Sequence, residues 1–117
     1  MNPARLCWHL ALLLAVSTAH AGRQTTLRSP EPGVLCDRHL CANDQGISRP
    51  LTEKHLGPQA ATKLFSRSDF DLTEFSFANG VFCDVKERLC RNHRYYGADG
   101  QRSGAVNKKY TRLLFGQ

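Results

Sequence analysis

Beyond residue 21 the groups able to do chemistry of their own are three histidines, four cysteines and one run of arginines and tyrosines. The run is RLCRNHRYYG, residues 88–97, in which Arg88, Arg91 and Arg94 lead into Tyr95 and Tyr96. Guanidinium forks pair with phosphate or carboxylate, and tyrosine rings stack on bases or sugars. Arg102, Lys108, Lys109 and Arg112 extend the same positive stretch. Lys108 and Lys109 fall in the first turn of an expected helix, where the macrodipole disfavours cations by a few tenths of a kcal/mol, roughly. Helix stability is therefore a poor reason for their position.

The histidines are His39, His55 and His93. Paired imidazoles can accept and donate a proton, as in nuclease-type chemistry, provided they converge on one cleft beside a cation. His93 with Arg91 or Arg94 would be the pair in such a hydrolase. The pattern places His39 in a turn, His55 on a helix and His93 in a strand, so no catalytic residue is assigned. Asp69 and Asp71 read as a capped loop. No Gly-rich phosphate loop, nucleophile elbow or zinc signature occurs, and neither a metal nor a cofactor is expected.

The first 21 residues read as a secretory leader. MNPAR is basic, LCWHLALLLAVS is apolar and Ala19-His20-Ala21 is a small-x-small cleavage site. A transmembrane anchor needs roughly 20 apolar residues, more than this run provides. Export leaves Cys36, Cys41, Cys83 and Cys90, an even set that reads as two disulfides. Spacings of C-x4-C and C-x6-C do not make a zinc knuckle. Local pairing, Cys36 with Cys41 and Cys83 with Cys90, closes short loops worth roughly 2–2.5 kcal/mol each. Pairing across the two halves would be worth roughly 4 kcal/mol each, but it requires the hairpins to lie side by side. Local pairing needs only the turns already signalled, and it is the expected one.

Periodicity gives the elements that carry these groups. Residues 22–32 read as a flexible arm, and residues 33–117 as a single small α+β domain. Val34–Ala42 forms a hairpin turning at Arg38-His39, with Cys36 opposite Cys41. A helix follows with Thr52 as N-cap and a staple of Leu51 and Leu56. Pro58 opens a second helix, whose stripe is Ala61, Leu64 and Phe65. Asn79-Gly80 signals a type I′ hairpin with Phe77 and Phe82 as cross-strand neighbours. A strand over LCRNHRYY and a closing helix, NKKYTRLLF, complete the chain, the helix burying Val106, Tyr110, Leu113 and Leu114.

GVLCDRHLC and GVFCDVKERLC are near twins, and each precedes a helix. The fold expected is thus two repeats of a disulfide hairpin and a short helix, in halves of about 33–66 and 73–117. Ser48 aligns with Ser103 and Thr52 with Asn107, an offset of 55 residues. His55 then aligns with Tyr110, which marks a packing position. Charge is uneven: residues 22–79 balance seven Lys and Arg against seven Asp and Glu, while residues 80–117 hold eight against three.

The segments GVLCDRHLCANDQGIS, LTEKHLG, FANGVFCDVKERLC and RSGAVNKKYTRLLF resemble the YcgJ family, also described as Fels prophage protein-like. That resemblance implies a small exported, cysteine-bridged bacterial protein and carries no assigned activity. The residues themselves point to a non-catalytic accessory module, periplasmic or secreted, whose second half meets an anionic partner. An envelope polyanion, an acidic protein or a nucleic acid fits that description. Inhibition of lysozyme is disfavoured, because a basic enzyme would be repelled.

Overall fold

The computed structural model describes residues 26–67 and 69–117. The expected leader and the start of the arm lie outside the described residues. Among the described residues, two three-stranded antiparallel sheets and three helices make a mixed α+β fold. The first sheet holds β1 (Leu35–Cys36), β2 (Cys41–Asn43) and β3 (Gly46–Ile47). Helices α1 (Arg49–Leu56) and α2 (Pro58–Phe65) follow. The second sheet holds β4 (Glu74–Ser76), β5 (Phe82–Asp84) and β6 (Leu89–Arg91), and α3 (Lys108–Phe115) closes the chain. Among the described residues no helix is long and apolar enough to cross a membrane.

Both disulfides are local. Cys36 faces Cys41 across the first hairpin with Cα atoms 4.1 Å apart, and Cys83 faces Cys90 at 4.0 Å. In each hairpin the aspartate after the first cysteine organises the turn. Asp37 Oδ1 accepts from the N–H groups of His39 and Leu40, and Asp84 Oδ1 accepts from those of Lys86 and Glu87. A carboxylate receiving N–H donors in this way imitates a backbone turn. Asp37 also reaches the second half, where its Oδ2 accepts from Ala78 N–H at 2.6 Å.

The halves do repeat, but in a register different from the one the sequence suggests. Ser48, not Thr52, is the N-cap of α1, accepting from Leu51 N–H, while Asn107 caps α3 by accepting from Tyr110 N–H. Ser48 thus corresponds to Asn107, and Gly57 to Gly116 at the helix ends, an offset of 59 residues rather than 55. The longer offset aligns Thr52 with Thr111, and both are buried. The Thr52 hydroxyl accepts from Cys41 N–H at 3.0 Å, and the Thr111 hydroxyl accepts from Cys90 N–H at 2.9 Å. Ser48 N–H and Asn107 N–H then bond the carbonyls of the same two cysteines. Each helix is therefore fastened to its disulfide hairpin by one hydroxyl and one cap.

The repeat also claims part of the expected arm. Arg28 exchanges backbone hydrogen bonds with Cys36, as Phe75 pairs with Cys83, and Leu27 is buried. Arg28 is thus bridged to the edge of the first sheet, and residues 27–28 are not a free arm. Burial of Leu27, whose N–H donates to the Tyr110 hydroxyl, outweighs the polar, proline-rich composition that suggested flexibility.

Other expectations are corrected by local geometry. Gly80 has φ 92° but Asn79 does not have positive φ, which excludes type I′. The loop instead has three residues, Ala78 to Gly80, closed by Phe77 N–H donating to Val81 O and Gly80 N–H donating to Phe77 O. That extra residue shifts the register: Phe82 opposes Ser76, while Phe75 and Phe77 share the other face with ring centroids 5.4 Å apart. The last strand stops at Arg91, so His93 is on a loop. On α3 the buried residues are Tyr110, Thr111, Leu114 and Phe115, and Val106 and Leu113 are exposed.

One core serves both units. Leu27, Leu35 and Ile47 pack in the same cluster as Phe75, Phe77, Tyr110 and Leu114. A smaller cluster seats Leu51 and Leu56 of α1 on Val34 and the first disulfide. The sheets meet where Ile47 N–H donates to Leu72 O at 2.9 Å. Gly46 permits that approach, since a Cβ there would lie 2.3 Å from the same carbonyl oxygen. Replacing Thr52 or Thr111 by valine keeps the shape but strands a buried cysteine N–H. Each change is expected to lower stability by about 1–3 kcal/mol in urea unfolding, with Thr→Ser much milder.

Candidate functional site

The second unit differs from the first chiefly by an insertion. Four residues separate Ala42 from its partner Ile47, whereas fourteen separate Arg91 from its partner Val106. The inserted stretch doubles back at a bridge between Tyr96 and Arg102, with Gly97 N–H bonding Gln101 O. Asn92 and Asn107 bond across its base at 2.9 Å. Gly104 lies against the His93 backbone, and a Cβ there would come within 2.5 Å of His93 O.

Arg102 holds this loop down. Its guanidinium sits 4.3 Å from the Phe82 ring centroid on one side and 4.2 Å from that of Tyr96 on the other. It also pairs with Glu74 at 3.3 Å and donates to Arg94 O. A planar cation stacked on aromatics and forked to a carboxylate is a position lysine cannot fill.

The nine residues expected to meet an anion therefore separate into two groups. Arg91 is held by Glu87 and by Gly104 O, Arg88 pairs with Asp44 and lies over Phe115, and Arg102 is half-buried in the stack just described. These three are structural. Arg94, Tyr95 and Tyr96 are exposed on the insertion, each tyrosine at 60%. Lys108, Lys109 and Arg112 are exposed on α3, and none of the three, nor Arg94, belongs to an ion pair among the described residues.

The histidines occupy three separate settings. His39 lies in the first hairpin turn, and His93 Nδ1 accepts from Tyr95 N–H at 3.2 Å. His55 Nε2 is 2.6 Å from Glu31 Oε2, an oxygen that Lys54 also reaches at 3.2 Å. The hydrogen bond with His55 and then that with Lys54 hold the Glu31 carboxyl below the usual glutamate range. Asp71 is likewise lowered, by the N–H and hydroxyl of Thr73, which makes it the cap of a turn. Among the described residues no group of His, Cys, Asp and Glu could hold a metal ion.

Pattern reading missed three exposed cations of the first unit. Arg38, Lys63 and Arg67 line one cleft of about 670 Å3 with His39. They are scattered along the chain, and the four-residue spacing of Lys63 and Arg67 is a faint signal.

The sequence profile described as YcgJ protein matches residues 27–115. The chain belongs to the YcgJ family. It is 56% identical over 89 residues to the uncharacterized protein YcgJ of Escherichia coli strain K12, covering 76% of this chain and 73% of that one. No solved structure matches it. The family segment begins at Leu27 and ends with α3, so both units of the repeat belong to it.

Two consequences can be measured. Arg102→Lys keeps the charge but loses the stack, and is expected to raise amide exchange across residues 94–103 while the hairpin cores stay protected. For Glu31 a lowered folded pKa means its contribution is complete above the ordinary glutamate value, about 4.3, and fades as pH falls through the folded value. The urea midpoint of Glu31→Gln should therefore lie below that of the unsubstituted protein at pH 6, with the gap closing in acid.

Proposed function

We propose that this protein is an exported, non-catalytic binding module that holds an anionic partner through the insertion of its second unit. Arg94, Tyr95 and Tyr96 form the centre of the contact, and Lys108, Lys109 and Arg112 on α3 add positive charge. The observation carrying this reading is the placement of an unpaired arginine beside two 60%-exposed tyrosines. All three stand on a loop that the first unit does without. Two disulfides in so small a domain suit an oxidising compartment, periplasmic or extracellular. A hydrolase built on His93 has less support: Arg91 is committed to Glu87, and one His93 nitrogen is occupied by Tyr95 N–H.

The test is retention of the oxidised protein on an immobilised cell-envelope extract, eluted with rising salt. Elution at intermediate salt is expected, moving to lower salt in Arg94→Glu and in Tyr95→Ala/Tyr96→Ala, since exposed charge contacts are screened by ions. Passage straight through at low salt would remove the envelope partner from consideration.

A further inference from the structure

Helix α2 and the insertion are the two features with no counterpart in the other unit, and one of the two clefts beside α2 is lined from both. The cleft of about 670 Å3 lies between the first hairpin turn and the end of α2, and has Ala60 and Leu64 as its apolar wall. Its cations, Arg38, Lys63 and Arg67, are exposed, and none belongs to an ion pair or an aromatic stack of the described residues. Among the described residues no carboxylate lines it. The helix macrodipole accounts for a cation at Lys63, in the last turn of α2, but not for Arg38 in a hairpin turn. A second cleft of about 390 Å3 shares Leu64 and Arg67 with the first and is closed by Arg94 of the insertion. The two clefts adjoin at Leu64 and Arg67, and we treat them as one groove with cations at Arg38 and at Arg94.

The stretch between those ends narrows the class of ligand. Asp71 and Glu74 line the second cleft, and Asp71 is held ionised by Thr73. A strand with a phosphate at every residue would be repelled there. A sugar chain with spaced acidic groups would not: carboxylate oxygens accept from its hydroxyls, arginines take its anionic substituents, and the apolar lining, Leu40, Ile47 and Phe70 among it, suits its ring faces. We propose that this groove binds an anionic oligosaccharide, with Arg38, Lys63 and Arg67 holding one acidic group and Arg94 another. The proposal rests on the anionic-partner reading only at Arg94.

Titration calorimetry on the oxidised full chain at low salt tests it, with a hyaluronan hexasaccharide, whose uronates alternate with neutral sugars, as probe. Maltohexaose serves as the neutral control, and a single-stranded oligonucleotide of similar charge as the uniform polyanion. The hyaluronan hexasaccharide should bind more tightly than the oligonucleotide, and maltohexaose should not bind. Arg38→Glu/Arg67→Glu and Arg94→Glu should each weaken binding about tenfold or more, corresponding to about 1.4 kcal/mol. Absence of uronate binding, or tighter binding of the oligonucleotide, overturns the assignment. Loss only in Arg94→Glu overturns the groove and leaves the insertion as the site. Loss only in the double variant overturns the insertion reading and leaves the first-unit cleft standing.

Discussion

Everything in this fold hangs on two threonine hydroxyls. A disulfide across a short hairpin fixes two strands, yet it leaves the second cysteine's backbone with groups that β-pairing alone does not satisfy. Thr52 and Thr111 bring a hydroxyl, both acceptor and donor, from the first turn of a helix to that backbone. Burial makes the bond consequential, because water cannot replace it. The capping residue one turn earlier takes the cysteine carbonyl, so helix and hairpin are locked as one unit. Two such units still share a single core and cannot be separated.

With the scaffold fixed, charge is redistributed in a way that residue counts conceal. The second half has an excess of five positive charges along the chain. Folding sends Arg88 to Asp44 of the first unit and Arg102 to Glu74 of the second unit's own sheet. Part of the basic half is thereby neutralised, while Arg38, Lys63 and Arg67 of the nominally balanced half collect around one cleft. The exposed positive surface therefore crosses the boundary between the units.

The two additions to the repeat are where side chains escape structural duty. Hairpin aspartates, helix caps, threonines and helix-ending glycines recur because each unit needs them. The insertion and α2 have no such obligation, and they border a common cleft. A recognition surface placed on features outside the repeated scaffold can vary without disturbing the clamps that hold it up, as binding loops on rigid frames generally do.

Much was legible from sequence alone. Cysteine spacing and turn residues determined the local disulfides, since a short turn already brings the partners together. Proline and apolar spacing located α2, and the doubled cysteine phrase indicated the repeat. The register of that repeat was not legible. Serine and asparagine are interchangeable as caps, so Ser48 aligned with Ser103 by identity although its physical counterpart is Asn107. Whether Leu27 was free or packed, and whether Arg102 was free or committed, depended on partners far away in the chain, Tyr110 and Glu74. Arg91 has its acid, Glu87, only four residues off and its second partner, Gly104 O, at the far end of the insertion. Local pattern determines which elements form, because caps, turns and periodicity act over a few residues. Only the tertiary structure decides which charges remain exposed, because burial and ion pairing are set by residues that folding brings together from distant parts of the chain.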